Sequence, residues 1–169
     1  PPGADALIEE AIARMSAATG LVFVNEGTTD EVWAKNREAY QSDRYGEKWA
    51  PALIVWSNET EVPALAGYIA GEGGGTPAAV PADPPGPQAF VSGQVVLDSG
   101  DLGVAIAQPG GPDAVRAVIQ HELGHMVGLD HVADRTQLMF SETAEARDWG
   151  SGDLAGLHEL GSGECLPDL

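Results

Sequence analysis

The sequence predicts an α+β fold, in which helices pack against a sheet. Two long stretches, residues 5–20 and 113–128, carry apolar side chains at helical spacing. Between them, residues 52–56 and 90–97 are runs of β-forming apolar residues that predict strands. A chain of 169 residues has the length of one domain with its own hydrophobic core. We therefore expect a single domain over residues 1–169.

The first part of the chain is predicted to hold one helix followed by strands. Asp5 is a candidate N-cap for the helix, and Gly20 can end it because glycine readily adopts a left-handed backbone conformation. Residues 21–24 then indicate a strand. The apolar run at 52–56 predicts a central strand covered on both faces, and residues 65–70 indicate a weaker strand.

Glycine and proline dominate the middle of the chain. The three glycines at 73–75 and the prolines between 77 and 87 predict one exposed loop without regular structure. After the strand at 90–97, Asp113 is a candidate N-cap for the second long helix, which Gly128 can end. A short final helix is predicted over about residues 153–160.

The composition is strongly acidic. The 26 Asp and Glu residues outnumber the 8 Lys and Arg residues, which gives a formal net charge of −18. Such a charge repels phosphate backbones and anionic lipid surfaces, and no apolar run reaches the roughly 20 residues of a membrane-spanning helix. We expect no nucleic-acid or membrane partner and a monomer with a well-solvated surface. Attraction of basic substrates is the alternative explanation of the acidity.

The segment from His121 to His131 carries a metal-binding pattern. His121 and His125 lie four residues apart on the predicted helix, so their imidazoles share one face and can converge on one ion. A turn at Gly128 can bring His131 round as a third ligand. Three neutral nitrogens leave the net charge of Zn²⁺ intact and one position open for water, which is typical of a catalytic zinc site. We expect one such zinc ion.

Glu122 is the predicted general base. It follows the first histidine in sequence but lies about 100° around the helix, so it cannot easily bind the same ion. It can reach a water on that ion, whose pKa zinc lowers to about 7, and take its proton. The carboxyl group would then pass the proton to a leaving amine.

The string His-Glu-x-x-His-x-x-Gly-x-x-His, with Met139 shortly after it, resembles the signature of the metzincin zinc endopeptidases. The order of elements is similar to the matrixin branch or its bacterial relatives, and residues 152–157 look like the start of the last matrixin helix. The resemblance implies a secreted enzyme that hydrolyses internal peptide bonds of protein or peptide substrates. It also implies that Met139 forms a hydrophobic floor under the zinc, as the Met-turn residue, and that Asp153 braces this turn.

The resemblance further implies a metzincin-like architecture, with a twisted mixed sheet and two backing helices. Residues 1–131 would form the upper part, and residues 132–169 a small C-terminal subdomain with the Met-turn and the final helix. The substrate cleft would run between them. A strand near Leu65, Ala66 and Gly67 would form its upper rim, where an extended peptide pairs with the strand edge.

The chain also departs from the matrixin pattern. Matrixins usually follow the Met-turn with Pro-x-Tyr, whereas residues 141–143 are Ser-Glu-Thr, so the shape of the substrate pocket is not implied. The structural zinc of animal matrixins cannot be built here, because His158 is the only other histidine. Calcium is possible but not expected, since the candidate ligands Asp83, Asp98 and Asp101 form no dense acidic loop.

Other functions stay open at this point. A zinc-stabilised binding module without catalysis is one, although it would have no use for Glu122 beside the first ligand. A gluzincin-like peptidase would take its third ligand from Glu142 or Glu145 instead. An enzyme could also act on non-peptide amides or only on its own pro-segment. Cys165, the only cysteine, could block the zinc as a thiolate, but a mobile tail thiol is the simpler interpretation.

Overall fold

The computed structural model describes residues 1–81, 84, 86–142, 145–166 and 169. It has an α+β fold, as predicted, with five α-helices, one short 3₁₀ helix and three strands in the described residues. The α-helices are α1 (Ala4–Thr19), α2 (Ser42–Tyr45), α3 (Asp101–Ile106), α4 (Gly111–Val127) and α5 (Ser151–Gly161). The strands are β1 (Leu53–Ser57), β2 (Gly71–Ala79) and β3 (Gln88–Asp98), and the 3₁₀ helix is Pro63–Leu65.

The three strands form a mixed sheet in the order β1-β3-β2. β1 runs parallel to β3, with Val55 opposite Val96, and β2 runs antiparallel to β3, with Gly73 opposite Val95. The central strand of the described sheet is therefore β3, and the prediction that the run at 52–56 is central was wrong. The fully buried side chains of Val95, Val96 and Leu97 give β3 its place in the core.

The position of β2 differs most from the sequence prediction. Residues 73–79 were predicted to lie in a loop, but they form most of this edge strand. A Cβ atom at Gly73 would collide with the backbone carbonyl of Glu122 in α4. Glycine in this strand thus serves a close approach of strand and helix, one of the recognised uses of glycine within strands.

The strand predicted at residues 65–70, near Leu65, Ala66 and Gly67, does not form. Leu65 ends the 3₁₀ helix and is buried against Val62 and Val96, where an apolar side chain is more stable than on an exposed edge. Gly67 follows with a φ of 88°, which belongs to a turn rather than to a strand. The edge strand therefore begins only at Gly71.

The strand predicted at residues 21–24 does not form either. In the described part of the chain no strand pairs with this segment, and the side chains of Val22 and Val24 are 86% and 77% exposed. β-forming residues favour a strand only where a neighbouring strand offers backbone hydrogen bonds and a packed face. Sequence propensity alone therefore overestimated the tendency of residues 21–24 to form a strand.

The two long helices end as predicted but begin slightly earlier. Gly20 and Gly128 follow α1 and α4 with φ values of 78° and 114°, and their amides donate back to the last turn. Because α1 starts at Ala4 and α4 at Gly111, Asp5 and Asp113 lie in the first turns and are not N-caps. Their negative charges still interact favourably with the positive end of the helix dipole.

The core lies between the sheet and the two long helices, as expected for a sheet with backing helices. α4 packs on β2 and β3, and α1 packs on α4 and α5. These elements share one buried apolar cluster, which includes Ala11, Met15, Val95, Leu97, Val115, Ile119, Leu123, Met126 and Leu157. Within the described residues no helix combines the length and the apolar character needed to cross a lipid bilayer.

The long connection before β1 is fixed to the sheet by Arg37. Its guanidinium donates hydrogen bonds to both carboxylate oxygens of Glu31 at 2.8 and 3.0 Å, and to the carbonyl oxygens of Pro51 and Gly93. The side chains of Arg37 and Glu31 are only 6% and 9% exposed. The hydrogen bond from Arg37 is the main reason why the pKa of Glu31 falls to about 2, although burial opposes it.

We predict that Glu31→Gln lowers the free energy of unfolding by roughly 3 kcal/mol at pH 7, since the variant loses a carboxylate with a depressed pKa. A depressed carboxyl pKa stabilises the fold above the ordinary pKa of 4.5, and this stabilisation disappears as the pH falls towards 2. The difference from the parent protein should therefore shrink below about pH 4.5 in denaturant titrations. Glu26→Gln, in the exposed pair with Lys48, should cost at most about 0.5 kcal/mol at pH 7. Equal losses in the free energy of unfolding for both variants would contradict a stabilising role of the buried pair of Arg37 and Glu31.

We also predict opposite results for two neighbouring glycines of β2. Gly73→Ala should destabilise the protein by about 1–3 kcal/mol, because the added methyl group forces β2 away from α4. Gly74→Ala should change stability little, since nothing lies within 4 Å of a Cβ atom there. Thermal unfolding of the two variants measures the difference. Similar effects at both positions would show that the close contact of β2 with α4 is not what requires glycine.

Candidate metal centre

Helix α4 presents two different faces. Val115, Ile119 and Leu123 point into the core, where they are at most 1% exposed. His121 and His125 lie on another side of the helix and are only partly buried. The regular spacing of the apolar residues fixes the rotation of the helix, so the two imidazoles are held at the surface of the core.

The structure brings three imidazoles together. After Gly128 ends α4, the chain turns and places His131 beside His121 and His125. The three Nε2 atoms form a triangle in which each pair is 3.1 Å apart. No fourth His, Cys, Asp or Glu from the described residues joins this group. The predicted trio is thus assembled, and neither Glu142 nor Glu145 belongs to it.

Two of the imidazoles are oriented by backbone carbonyl groups. The Nδ1 of His121 lies 2.7 Å from the carbonyl oxygen of Leu138, and the Nδ1 of His125 lies 2.9 Å from that of Leu129. A carbonyl oxygen can only accept, so in both rings Nδ1 carries the hydrogen and Nε2 keeps its lone pair. Metal-binding histidines usually donate their other ring N–H to such an acceptor, which fixes the tautomer and the orientation of the ring.

Burial favours the neutral form of these two rings. It is the largest cause that lowers the pKa of His121 and of His125, and in both cases the backbone carbonyl opposes it. A neutral imidazole is the form that binds a metal ion. The site therefore needs little deprotonation to take up a cation at neutral pH.

The donor set fits zinc. Three nitrogens at the usual Zn–N distance of about 2.0–2.1 Å in a tetrahedral arrangement lie roughly 3.3 Å from one another. The observed spacing of 3.1 Å is close to this value. Three histidines with a fourth position left for water make up the ligand pattern of catalytic zinc sites.

Glu122 follows His121 in α4 and lies beneath the edge strand. It is 7% exposed, and its carboxylate faces the amide of Gly73 in β2. Burial, and secondly the negative charge of Glu72, raise the pKa of Glu122 to about 7, while the Gly73 amide opposes this rise. A cation held by the histidines would lower the pKa, because opposite charges favour the ionised carboxylate.

Met139 lies in the turn that follows the third histidine. The amide of Val132 donates to the carbonyl oxygen of Met139 at 3.0 Å, which closes the loop between them. Met139 is 1% exposed, and a Cβ atom at Gly124 would lie 2.6 Å from its sulfur. The sulfur therefore packs against α4 directly beside His125.

Asp153 ties this turn to α5. Its buried carboxylate accepts hydrogen bonds from the amides of Leu138 at 2.6 Å and Met139 at 3.3 Å, and from the amide of Gly150 at 2.8 Å. Asp153 thus braces the turn as the resemblance implied. Three amide donors offset the cost of burying a carboxylate.

Two contributions escaped the sequence analysis. Gln137 accepts hydrogen bonds from the amides of Gly152 at 2.7 Å and Asp153 at 3.2 Å, so it caps the start of α5 from the neighbouring turn. No local pattern marks such a long-range cap. The Gly73 amide could have been suspected, because a glycine run often marks a close backbone approach.

The remaining candidates lie apart from the trio. Glu142 forms an exposed ion pair with Arg135 at 3.7 Å, and Cys165 is exposed. Of the possible calcium ligands, Asp83 lies outside the described residues. Asp98 Oδ1 accepts the amides of Gly100 and Asp101 at 2.7 and 2.9 Å, which commits it to the start of α3.

The family comparison agrees with this site. The family model described as matrixin matches residues 28–160, a range that includes the sheet, α4 and Met139. Comparisons with curated proteins and with solved structures gave no match. The matrixin match and the histidine trio together point to a zinc metallopeptidase. Because the match spans most of its 169 residues, the chain belongs to the matrixin family.

Proposed function

We propose that the protein is a zinc-dependent endopeptidase that hydrolyses internal peptide bonds of protein substrates. The observation that carries this proposal is the triangle of Nε2 atoms 3.1 Å apart, with the Glu122 carboxylate on the next residue of the same helix. A site of three histidines without an acid beside it would explain metal binding but not hydrolysis. The acid supplies the missing group.

His121, His125 and His131 hold the zinc ion in this proposal. When bound, zinc supplies Lewis-acid chemistry, which acidifies water and polarises a carbonyl group. The protein contributes rigidity: the carbonyl oxygens of Leu138 and Leu129 fix two rings, and Met139 packs under α4 as the floor of the site. Orienting the ligands in this way reduces the motion needed during the reaction.

Glu122 takes the proton from the attacking water and passes it to the nitrogen of the leaving amine. The close packing of Gly71 and Gly73 holds Glu122 under β2. A carboxyl group whose pKa is close to the operating pH can serve first as a base and then as an acid. A zinc ion held by the histidines would lower the pKa of Glu122 from the value of about 7 that burial gives it, so the carboxylate is ionised and can act as the base.

The substrate binds in extended form along the outer edge of β2. Among the described strands, β2 pairs with β3 alone, so backbone groups on its other side are available for a peptide strand. Gly71 and Gly73 bring it next to Glu122. The rim expected at Leu65, Ala66 and Gly67 thus moves to β2, since Leu65 is buried.

The whole chain acts as one catalytic domain in this proposal. The cleft lies between residues 1–131 and residues 132–169, with the zinc at its floor. Matrixins typically act outside the cell, and we infer the same for this protein, as a monomer. The rival function, a zinc-stabilised binding module, leaves the buried Glu122 without a role.

We predict that Glu122→Gln keeps its zinc and loses turnover by a factor of roughly 10²–10⁴, since the amide cannot accept the proton of water. Cuts in a diverse peptide mixture, mapped by mass spectrometry with and without a chelator, measure turnover, and elemental analysis measures zinc. Glu142→Gln is the matched control and should keep both. Undiminished turnover in Glu122→Gln would refute the mechanism, and a parent protein without chelator-sensitive cuts would favour the binding module.

We also predict that His131→Ala loses zinc while His158→Ala retains it. Two histidines cannot complete the site, whereas His158 on α5 lies outside the trio. Dialysis against defined free zinc followed by elemental analysis gives the stoichiometry, expected near one per chain in the parent. Added zinc should also raise the melting temperature of the parent and of His158→Ala only. Full zinc binding by His131→Ala would mean that another residue is the third ligand.

A further inference from the structure

A concavity of about 190 Å³ lies beside β2, on the sheet side away from α4. We call it the outer-face concavity. Glycines 73–75 form its floor, and its walls include the side chains of Trp33, Lys35, Glu72, Thr76 and Gln94. Its volume is several times the roughly 30 Å³ that a water molecule occupies in the liquid. It therefore has room for part of a ligand side chain.

Glu72 projects towards this concavity. Side chains alternate between the two faces of a strand, and Cβ atoms at Gly71, Gly73 and Gly75 would all point at α4 or its surroundings. Glu72 therefore faces the opposite side and is exposed. It is also the only residue with a side chain between Gly71 and Gly75, so no neighbour on the strand covers its carboxylate.

Gln94 also borders the concavity. Its Nε2 donates to the carbonyl oxygen of Ala34 at 2.7 Å, which fixes the orientation of the amide. Its Oε1 is buried and accepts no hydrogen bond from the described residues. Because this oxygen has almost no exposed surface, the accessible acceptor in the concavity is the carboxylate of Glu72.

The cations nearby do not neutralise this site. Arg37 also borders the concavity, but its guanidinium is bound to Glu31 and to backbone carbonyl groups. Lys35 is exposed, and no ion pair joins it to Glu72 in the described part of the chain. The indole of Trp33 packs against Val62, Leu65 and Val96 and is thus held in place as an aromatic wall.

We propose that the outer-face concavity is a substrate subsite for a cationic side chain, arginine or lysine, with the carboxylate of Glu72 as the acceptor. The proposal rests on the proposed function, in which a peptide pairs with the free edge of β2. Neighbouring side chains on paired strands lie on the same face. The substrate residues beside Glu72 are therefore those whose side chains point away from α4, next to a residue that points towards the zinc.

The test compares arginine with citrulline, its neutral isostere. Fluorescent decapeptides rich in alanine carry one arginine, at a different position in each, and a second set carries citrulline instead. Fluorescence anisotropy measures their binding to the zinc-loaded Glu122→Gln protein at constant ionic strength. For at least one position, arginine should bind tighter than citrulline by roughly tenfold or more, as expected for hydrogen bonds to a charged group.

Three further variants in the same background make the test specific. Glu72→Gln should reduce the ratio of the two affinities to about one. Lys35→Gln should raise the ratio, because it removes a competing cation. Glu9→Gln, which removes an equal charge from the exposed face of α1, should leave it unchanged. A preference that survives in Glu72→Gln, or disappears equally in Glu9→Gln, would overturn the subsite.

The outcome can be separated from that of the proposed function. If the parent protein makes chelator-sensitive cuts without any preference for arginine peptides in binding, the peptidase stands and the subsite is refuted. If arginine peptides bind through Glu72 but nothing is cut, the cation site stands and the peptidase is refuted. Failure of every peptide to bind would overturn the subsite as well.

Discussion

The close packing of β2 on α4 is the contact on which the candidate site depends most. Side chains at Gly73 or Gly75 would collide with backbone carbonyl groups of Glu122 and Met126. Only glycine allows the strand to lie on the helix, and this contact buries Glu122 and brings the Gly73 amide to its carboxylate. Since the same helix carries His121 and His125, one packing contact sets the distance between the edge strand, the acid and two of the metal-binding imidazoles.

Polar contacts fix the other half of the site. His121 donates to the carbonyl oxygen of Leu138, and the backbone amide of Leu138 donates to the buried carboxylate of Asp153. The first imidazole, the turn around Met139 and α5 are therefore joined through one residue, Leu138. Gln137 strengthens the connection, because its side-chain oxygen Oε1 caps the start of α5 from the turn. Movement of α5 would be transmitted to His121, which makes the C-terminal part a component of the metal centre.

The features that could be predicted from the sequence are local ones. The four-residue spacing of His121 and His125 and the turn at Gly128 are enough to assemble the trio, because helix geometry supplies the rest. The strand β2 could not be predicted, since its glycines have low β-propensity and their function appears only when α4 lies against them. Conversely, residues 21–24 have the composition of a strand, but no strand of the described chain pairs with them. The roles of Met139 and Asp153 followed from family resemblance rather than from any spacing.

The acidic charge of the protein and the carboxylate of Glu72 act at different ranges. At least six of the eight Lys and Arg side chains are in ion pairs. The net charge of −18 comes from the Asp and Glu side chains that outnumber them. Such a field attracts cationic polypeptides but is screened beyond about 8 Å at physiological salt, so it cannot select one side chain over its neighbour. Selection requires short contacts with fixed acceptors. On β2 the glycines around Glu72 leave its carboxylate uncovered, so the packing that positions Glu122 on one face also exposes an acid on the other.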